Sequence, residues 1–258
     1  MSLPWIWGPL HLILLALSFR GALRRLMGES SPSTLVTTLM ATLVLAGGIG
    51  LQCANGISVI GSMANTLLPL CLLLLTSSML MEVSLRTPWV PLLTHPVSFV
   101  LALTALRFMK PVLIAENPST ILRWHILSSV LGYVLLLLAS LAAILLWIQD
   151  RRLKRHVRIP GRFPSLELLE GLTFRFLLVS ALSLTVSIGL GAGLGRELFG
   201  RGFSGRFEWI FVFTLATWTL QGTTLLLAWR RILTAVPLAM ATLTITGVAL
   251  LGFFGGGH

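Results

Sequence analysis

The chain has 258 residues, of which 55% are hydrophobic and only 10% charged, and its mean hydropathy is +0.92. Soluble domains carry about a quarter charged residues, so a water-soluble globular fold is excluded and a polytopic membrane protein is expected. The net charge of +11 does not mark a nucleic-acid binder, because the basic residues stand in short stretches between apolar segments, the pattern of loops facing anionic lipid.

Apolar segments long enough to cross a hydrocarbon core of about 30 Å fall near 3–19, 34–52, 57–81, 89–107, 124–148, 172–194, 209–228 and 233–254. None shows strand alternation, and only helices or closed barrels satisfy the backbone in lipid. The expected fold is therefore all-α, a bundle of eight transmembrane helices forming one domain over 1–258, with no internal repeat. The first segment has no basic residue before Arg20, the wrong polarity for a cleaved signal peptide, and reads as a retained span. Cys53 and Cys71 form no C-x-x-C pair, which argues against thiol exchange, and Cys71 reads as a small hydrophobe within a span. Pro69, Pro96 and Pro237 fall inside spans and predict kinks.

Loop charges orient the spans. With the N-terminus outside, the inner loops hold Arg20, Arg24, Arg25, Arg86, Arg151, Arg152, Lys154, Arg155, Arg158, Arg162, Arg230 and Arg231, twelve in all. The outer loops hold six: Arg107, Lys110, Arg123, Arg196, Arg201 and Arg206. This bias places both termini on the outer, periplasmic side of a bacterial inner membrane. The inner loop 150–169 has a basic first half suited to anionic headgroups. In its second half Ser165 reads as an N-cap, with Glu167 and Glu170 complementing the helix dipole.

Few side chains carry chemistry. His125 opens the fifth span in Arg123-Trp124-His125-Ile126-Leu127-Ser128-Ser129. A neutral imidazole there can bind a haem iron axially, with Arg123 near a propionate; the plain alternative is a helix-capping histidine at the headgroups. His11 sits mid-span and reads as packed and hydrogen-bonded, and His95, just before Pro96, as a donor to a nearby carbonyl. His258 ends a glycine tail. Gly189 and Gly193 form a small-xxx-small face for close helix approach rather than a dinucleotide loop. Trp5, Trp7, Trp89, Trp124, Trp147, Trp209 and Trp229 lie near span ends, as an interfacial belt requires. Glu82, Glu116, Glu197 and Glu208 lie at span ends or in loops, which leaves no mid-membrane carboxylate for a proton or cation relay. No Ser-His-Asp set, paired carboxylates or phosphate cradle appears, so the chain is expected not to be an enzyme.

Three segments in order, W-H-I-L-S-S-V-L-G-Y at 124–133, Q-D-R-R-L-K-R-H at 149–156 and P-S-L-E-L-L-E-G-L-T-F-R-F at 164–176, carry a resemblance. Over 124–194 the chain resembles the cytochrome c assembly (CcsA/ResC-like) membrane family, in its short YpjD/HemX-type branch. The resemblance implies haem bound or handled at the outer face, for cytochrome c maturation or haem metabolism, with His125 as the axial ligand. It further implies partners among membrane proteins of cytochrome c or haem biogenesis, in addition to lipid.

Two features depart from the family pattern. The tryptophan-rich outer loop of the larger members is missing, as it is in the short branch. The histidine that the branch places about nine residues before a tryptophan is Trp209 here, counted from Trp218, and the following G-W-R-G-R is reduced to Ala228-Trp229-Arg230-Arg231. A second axial ligand is thus not identified; Met63 is a weak candidate, core filling being its ordinary role. Arg123 or Arg206 would stand near the propionates, and Trp124 and Trp209 would flank the site. Two rival functions remain open: a non-haem scaffold or regulator docking a partner through the basic loop 150–162, and a small-solute or metal-ion transporter. The transporter would have to rely on Ser, Thr, Asn65 and Gln221.

Overall fold

A computed structural model describes residues 4–28, 33–56, 63–85, 88–109, 120–156, 163–193 and 205–255. The described residues form eight helices: α1 Pro4–Leu26, α2 Ser33–Ala54, α3 Met63–Leu85, α4 Trp89–Phe108, α5 Thr120–Arg155, α6 Leu166–Gly193, α7 Gly205–Trp229 and α8 Ala235–Gly255. Seven are long and apolar enough to cross a membrane; α1, with Arg20, Arg24 and Arg25 in its last two turns, is not among them.

Helices run past the apolar segments wherever their flanks are good helix formers. α5 was expected over 124–148 but extends to Arg155, about 54 Å of helix at 1.5 Å per residue, and takes in the first part of the predicted basic loop. Its last turns hold together through the Lys154–Asp150 ion pair at 2.8 Å and the Arg151 guanidinium, 3.9 Å from the Trp147 ring centroid. Basic residues also suit the negative end of the helix dipole. α6 starts at Leu166, capped as expected: the Leu168 N–H donates to Ser165 Oγ at 3.3 Å. Pro69 and Pro96 lie within helices, whereas Pro237 falls in the first turn of α8, where its missing N–H breaks no bond. No kink is required of it.

The helices fall into two compact units. In the first, α1 packs on α2 and α4, and α3 packs on α2 and α4. The buried face of α2 is Thr34, Thr38, Ala41, Leu45, Gly48 and Gln52, a four-three spacing that keeps one stripe turned to its neighbours. Trp7 is buried rather than interfacial, because its indole lies on Gly48: a Cβ at that glycine would stand 2.4 Å from the ring. Gly48→Ala is expected to displace the indole and cost about 1–3 kcal/mol, read as a lower melting temperature together with red-shifted tryptophan emission.

In the second unit α5 packs along α6 and on α8, with α7 against α6 and α8. Its core joins Leu136, Ala139, Leu177, Ala181, Leu225, Ile245 and Ala249, flanked by Tyr133, Phe174 and Phe176. Both units expose leucines, isoleucines and valines and bury hydroxyls and amides, the inversion expected where lipid is the solvent.

Candidate functional site

His125 lies in the second turn of α5, and its ring turns toward α6. Nδ1 is 2.8 Å from the Ser187 carbonyl oxygen and 3.2 Å from Ser187 Oγ. A carbonyl only accepts, so Nδ1 carries the proton and the lone pair is left on Nε2. Among the described residues Nε2 has no hydrogen-bond partner. A carbonyl accepting from one ring nitrogen in this way fixes the tautomer and leaves the other nitrogen able to ligate.

The ring fits because Gly191 has no side chain: a Cβ there would stand 3.0 Å from His125 Cε1 and 3.3 Å from Nδ1. Ser187 and Gly191 are one helical turn apart on the same face of α6. The next turn of α5 locks the pair, since Ser129 Oγ donates to the His125 carbonyl at 2.8 Å and lies 2.5 Å from Ser187 Oγ. Ser128 Oγ also donates to that carbonyl, at 3.0 Å.

Further along the same helices, small and polar residues continue the contact. Ser180 Oγ donates to the Gly132 carbonyl at 2.8 Å and accepts from Gln221 Nε2 at 3.0 Å. Trp218 Nε1 donates to Thr185 Oγ1 at 2.8 Å, and the Tyr133 hydroxyl is 3.1 Å from Thr214 Oγ1. Ser140 and Thr246 join α5 to α8 by a hydroxyl–hydroxyl bond. Each bond satisfies a polar group that lipid cannot.

The other sequence candidates are placed less closely. Trp124 is 59% exposed, and Arg123 is exposed as well. Trp209 packs on Phe213, centroids 4.5 Å apart, and its Nε1 donates to the Leu251 carbonyl at 3.5 Å, so its observed partners are on α7 and α8. Arg206 is in the first turn of α7 and Met63 opens α3, but both side chains lie outside the described residues, as do His258 and 194–204. The described residues contain no group of three metal-ligating side chains.

Two expectations are corrected. Among the described residues, a Cβ at Gly189 or Gly193 would meet nothing within 4 Å; the glycine of this stretch in close contact is Gly191. His95 does not meet a carbonyl: its Nε2 is 3.2 Å from Thr38 Oγ1. His11 is packed as expected, with Nδ1 2.9 Å from the Ala41 carbonyl. Sequence reasoning missed Ser187. The signal was present in the spacing Ser180, Leu184, Ser187, Gly191, a four-three-four stripe of mostly small residues facing α5.

Long apolar helices with exposed aliphatic surfaces and buried, paired polar side chains define a multi-pass membrane protein. The family model described as Cytochrome C assembly protein matches residues 5–255. The chain belongs to that family, and so to the membrane proteins of cytochrome c biogenesis. Searches of curated proteins and of solved structures returned no match.

Proposed function

We infer that this protein binds or handles haem at the outer face of a bacterial inner membrane, with His125 Nε2 as the axial ligand, in cytochrome c maturation or haem metabolism. On this reading α1 crosses together with the seven longer apolar helices and both termini lie outside, which puts the start of α5 on that face; the excess of basic residues in the opposite loops supports this orientation. The observation that carries the reading is the Nδ1–Ser187 carbonyl bond, which holds the imidazole in the tautomer whose Nε2 can ligate. The residues present fit a porphyrin iron on one side.

Haem, when bound, supplies the iron and its redox chemistry. The chain's own residues orient and hold: Ser187 and Ser129 fix the ring, Gly191 leaves room for it, and Arg123 and Arg206 offer cations for propionates. Trp124 and Trp209 would flank the porphyrin, and Met63 is the weak candidate for the sixth position. On this reading the protein is a carrier or assembly factor rather than an enzyme.

The test is an optical titration of detergent-purified protein with haemin. A Soret shift that saturates in the wild type and is lost in His125→Ala is the expected result. No shift in either protein, or the same shift in both, rejects the assignment. The scaffold reading draws on one specific observation, that Trp209 stands where a second histidine is expected and is already bonded to Leu251. It predicts that His125→Ala leaves cytochrome c maturation intact while charge reversal at Arg151, Arg152 and Arg155 abolishes it.

A further inference from the structure

The first unit holds a buried thiol that the haem reading does not use. Cys71 on α3 and His11 on α1 are both fully enclosed. His11 Nδ1 is 2.9 Å from the Ala41 carbonyl oxygen, which only accepts, so Nδ1 carries the proton and the lone pair is on Nε2. That nitrogen has Cys71 Sγ at 4.0 Å. The thiol hydrogen has a nearer acceptor, the Ser98 carbonyl at 3.4 Å. A thiol has one hydrogen to give. With it spent on Ser98, His11 Nε2 is a buried acceptor without a donor, which is costly.

The surroundings restrict what could sit between the two atoms. Leu15, Leu68, Leu74 and Leu75, on the same two helices, are buried as well, and an uncompensated charge in such a core is costly. A monovalent cation with one thiolate and one neutral imidazole sums to zero, whereas a divalent cation leaves a full positive charge. Thiolate sulfur selects soft ions, Cu(I) among them. Metal bonds to thiolate sulfur and imidazole nitrogen run about 2.3 Å and about 2.0 Å in zinc sites. An ion joining atoms 4.0 Å apart therefore lies near the line between them. Such two-fold coordination suits a monovalent ion with a filled d shell and not zinc, which takes four ligands. The described residues offer no group of three ligating side chains, so two donors are what the site has.

We propose that Cys71 and His11 form a two-coordinate site for a soft monovalent metal ion, Cu(I), among the helices of the first unit. On binding, the S–H bond breaks and its proton leaves to bulk water, while Cys71 Sγ and His11 Nε2 each form a bond to the ion. No electron moves, because the ion enters already reduced. The Ser98 carbonyl, in mid-helix, keeps its backbone bond when the thiol hydrogen goes. Ser98 also carries a buried hydroxyl with no partner, the kind of donor a thiolate accepts from. The Ala41 carbonyl fixes the His11 tautomer as the Ser187 carbonyl fixes that of His125. Read from its own segment, Cys71 is a small hydrophobe; the imidazole opposite it is 60 residues away in the chain.

The test uses the full chain carrying Cys53→Ser, which removes the exposed thiol, purified in detergent without haem and kept anaerobic. The probe is Cu(I) held by bicinchoninate, whose coloured complex loses absorbance as the protein withdraws the ion. Both donors are buried, so loading waits on local opening of the helices and is followed to its plateau. One Cu(I) per chain is expected. Adding Cys71→Ser is expected to weaken binding at least a hundredfold, and His11→Phe at least tenfold. Copper X-ray absorption of the loaded Cys53→Ser protein is expected to show two-coordinate Cu(I) with one sulfur and one nitrogen. It decides the matter should either further variant not elute as a monodisperse protein. No copper withdrawn by the Cys53→Ser protein overturns the proposal. So does undiminished affinity after Cys71→Ser or His11→Phe, or bound copper with three or more ligands or without sulfur. No haem is present, so this titration and the haem titration fail independently.

Discussion

Gly191→Val is expected to weaken haem binding at least tenfold, about 1.4 kcal/mol, without unfolding the protein. A Cβ at this position already reaches 3.0 Å from His125 Cε1. The two Cγ atoms of valine then occupy the volume of the imidazole. The ring must turn away, and in doing so it loses the Ser187 carbonyl that holds its Nδ1 proton and presents Nε2. Gly191→Ala is expected to give a smaller loss, since a shift of a few tenths of an ångström admits a methyl group. Helix propensity moves the other way, because glycine within a helix is about 1 kcal/mol worse than alanine. Weaker haem binding with an unchanged or raised melting temperature therefore separates a positioning effect from unfolding. A haemin titration and a thermal melt of each variant check both halves, and wild-type affinity in Gly191→Val would show that the His125–Ser187 contact does not position a ligand.

Arg25→Ala is expected to destabilise the protein by about 2–3 kcal/mol. Glu82 is 3% exposed and lies 2.5 Å from the guanidinium of Arg25, whose side chain keeps about a third of its surface accessible. Losing one partner of a fully buried pair costs about 3–5 kcal/mol, and the partial exposure of Arg25 lowers that figure. The expected fall in melting temperature is about 5–10 °C for a chain of this size, measured by circular dichroism in detergent. Adding Glu82→Leu to Arg25→Ala is expected to recover most of the loss, because the uncompensated carboxylate is removed with its partner. No recovery would locate the penalty in lost packing of the arginine stem instead.

Much of this was visible residue by residue. The capping role of Ser165 follows from its place before Leu166 and the early glutamate, and the packed state of His11 follows from its mid-span position. His125 stood out because it opens an apolar segment between basic, aromatic and hydroxyl residues. Its function as a positioned imidazole was not legible, because Ser187 lies 62 residues away. Glu82 read as an ordinary span-end acid for the same reason: its partner Arg25 is 57 residues distant. Trp7, read as part of an interfacial belt, is buried because Gly48 leaves a flat place for it.

Sequence alone decided the class of protein and the rough extent of its helices, since hydropathy is a sum over one contiguous segment and needs no partner. Tertiary structure alone decided which stripe of each helix turns inward. In water an amphipathic pattern marks the buried face, but in lipid both faces are apolar, and the inner one is distinguished only by small residues and scattered hydroxyls. That weak signal left Gly191 hidden behind Gly189 and Gly193.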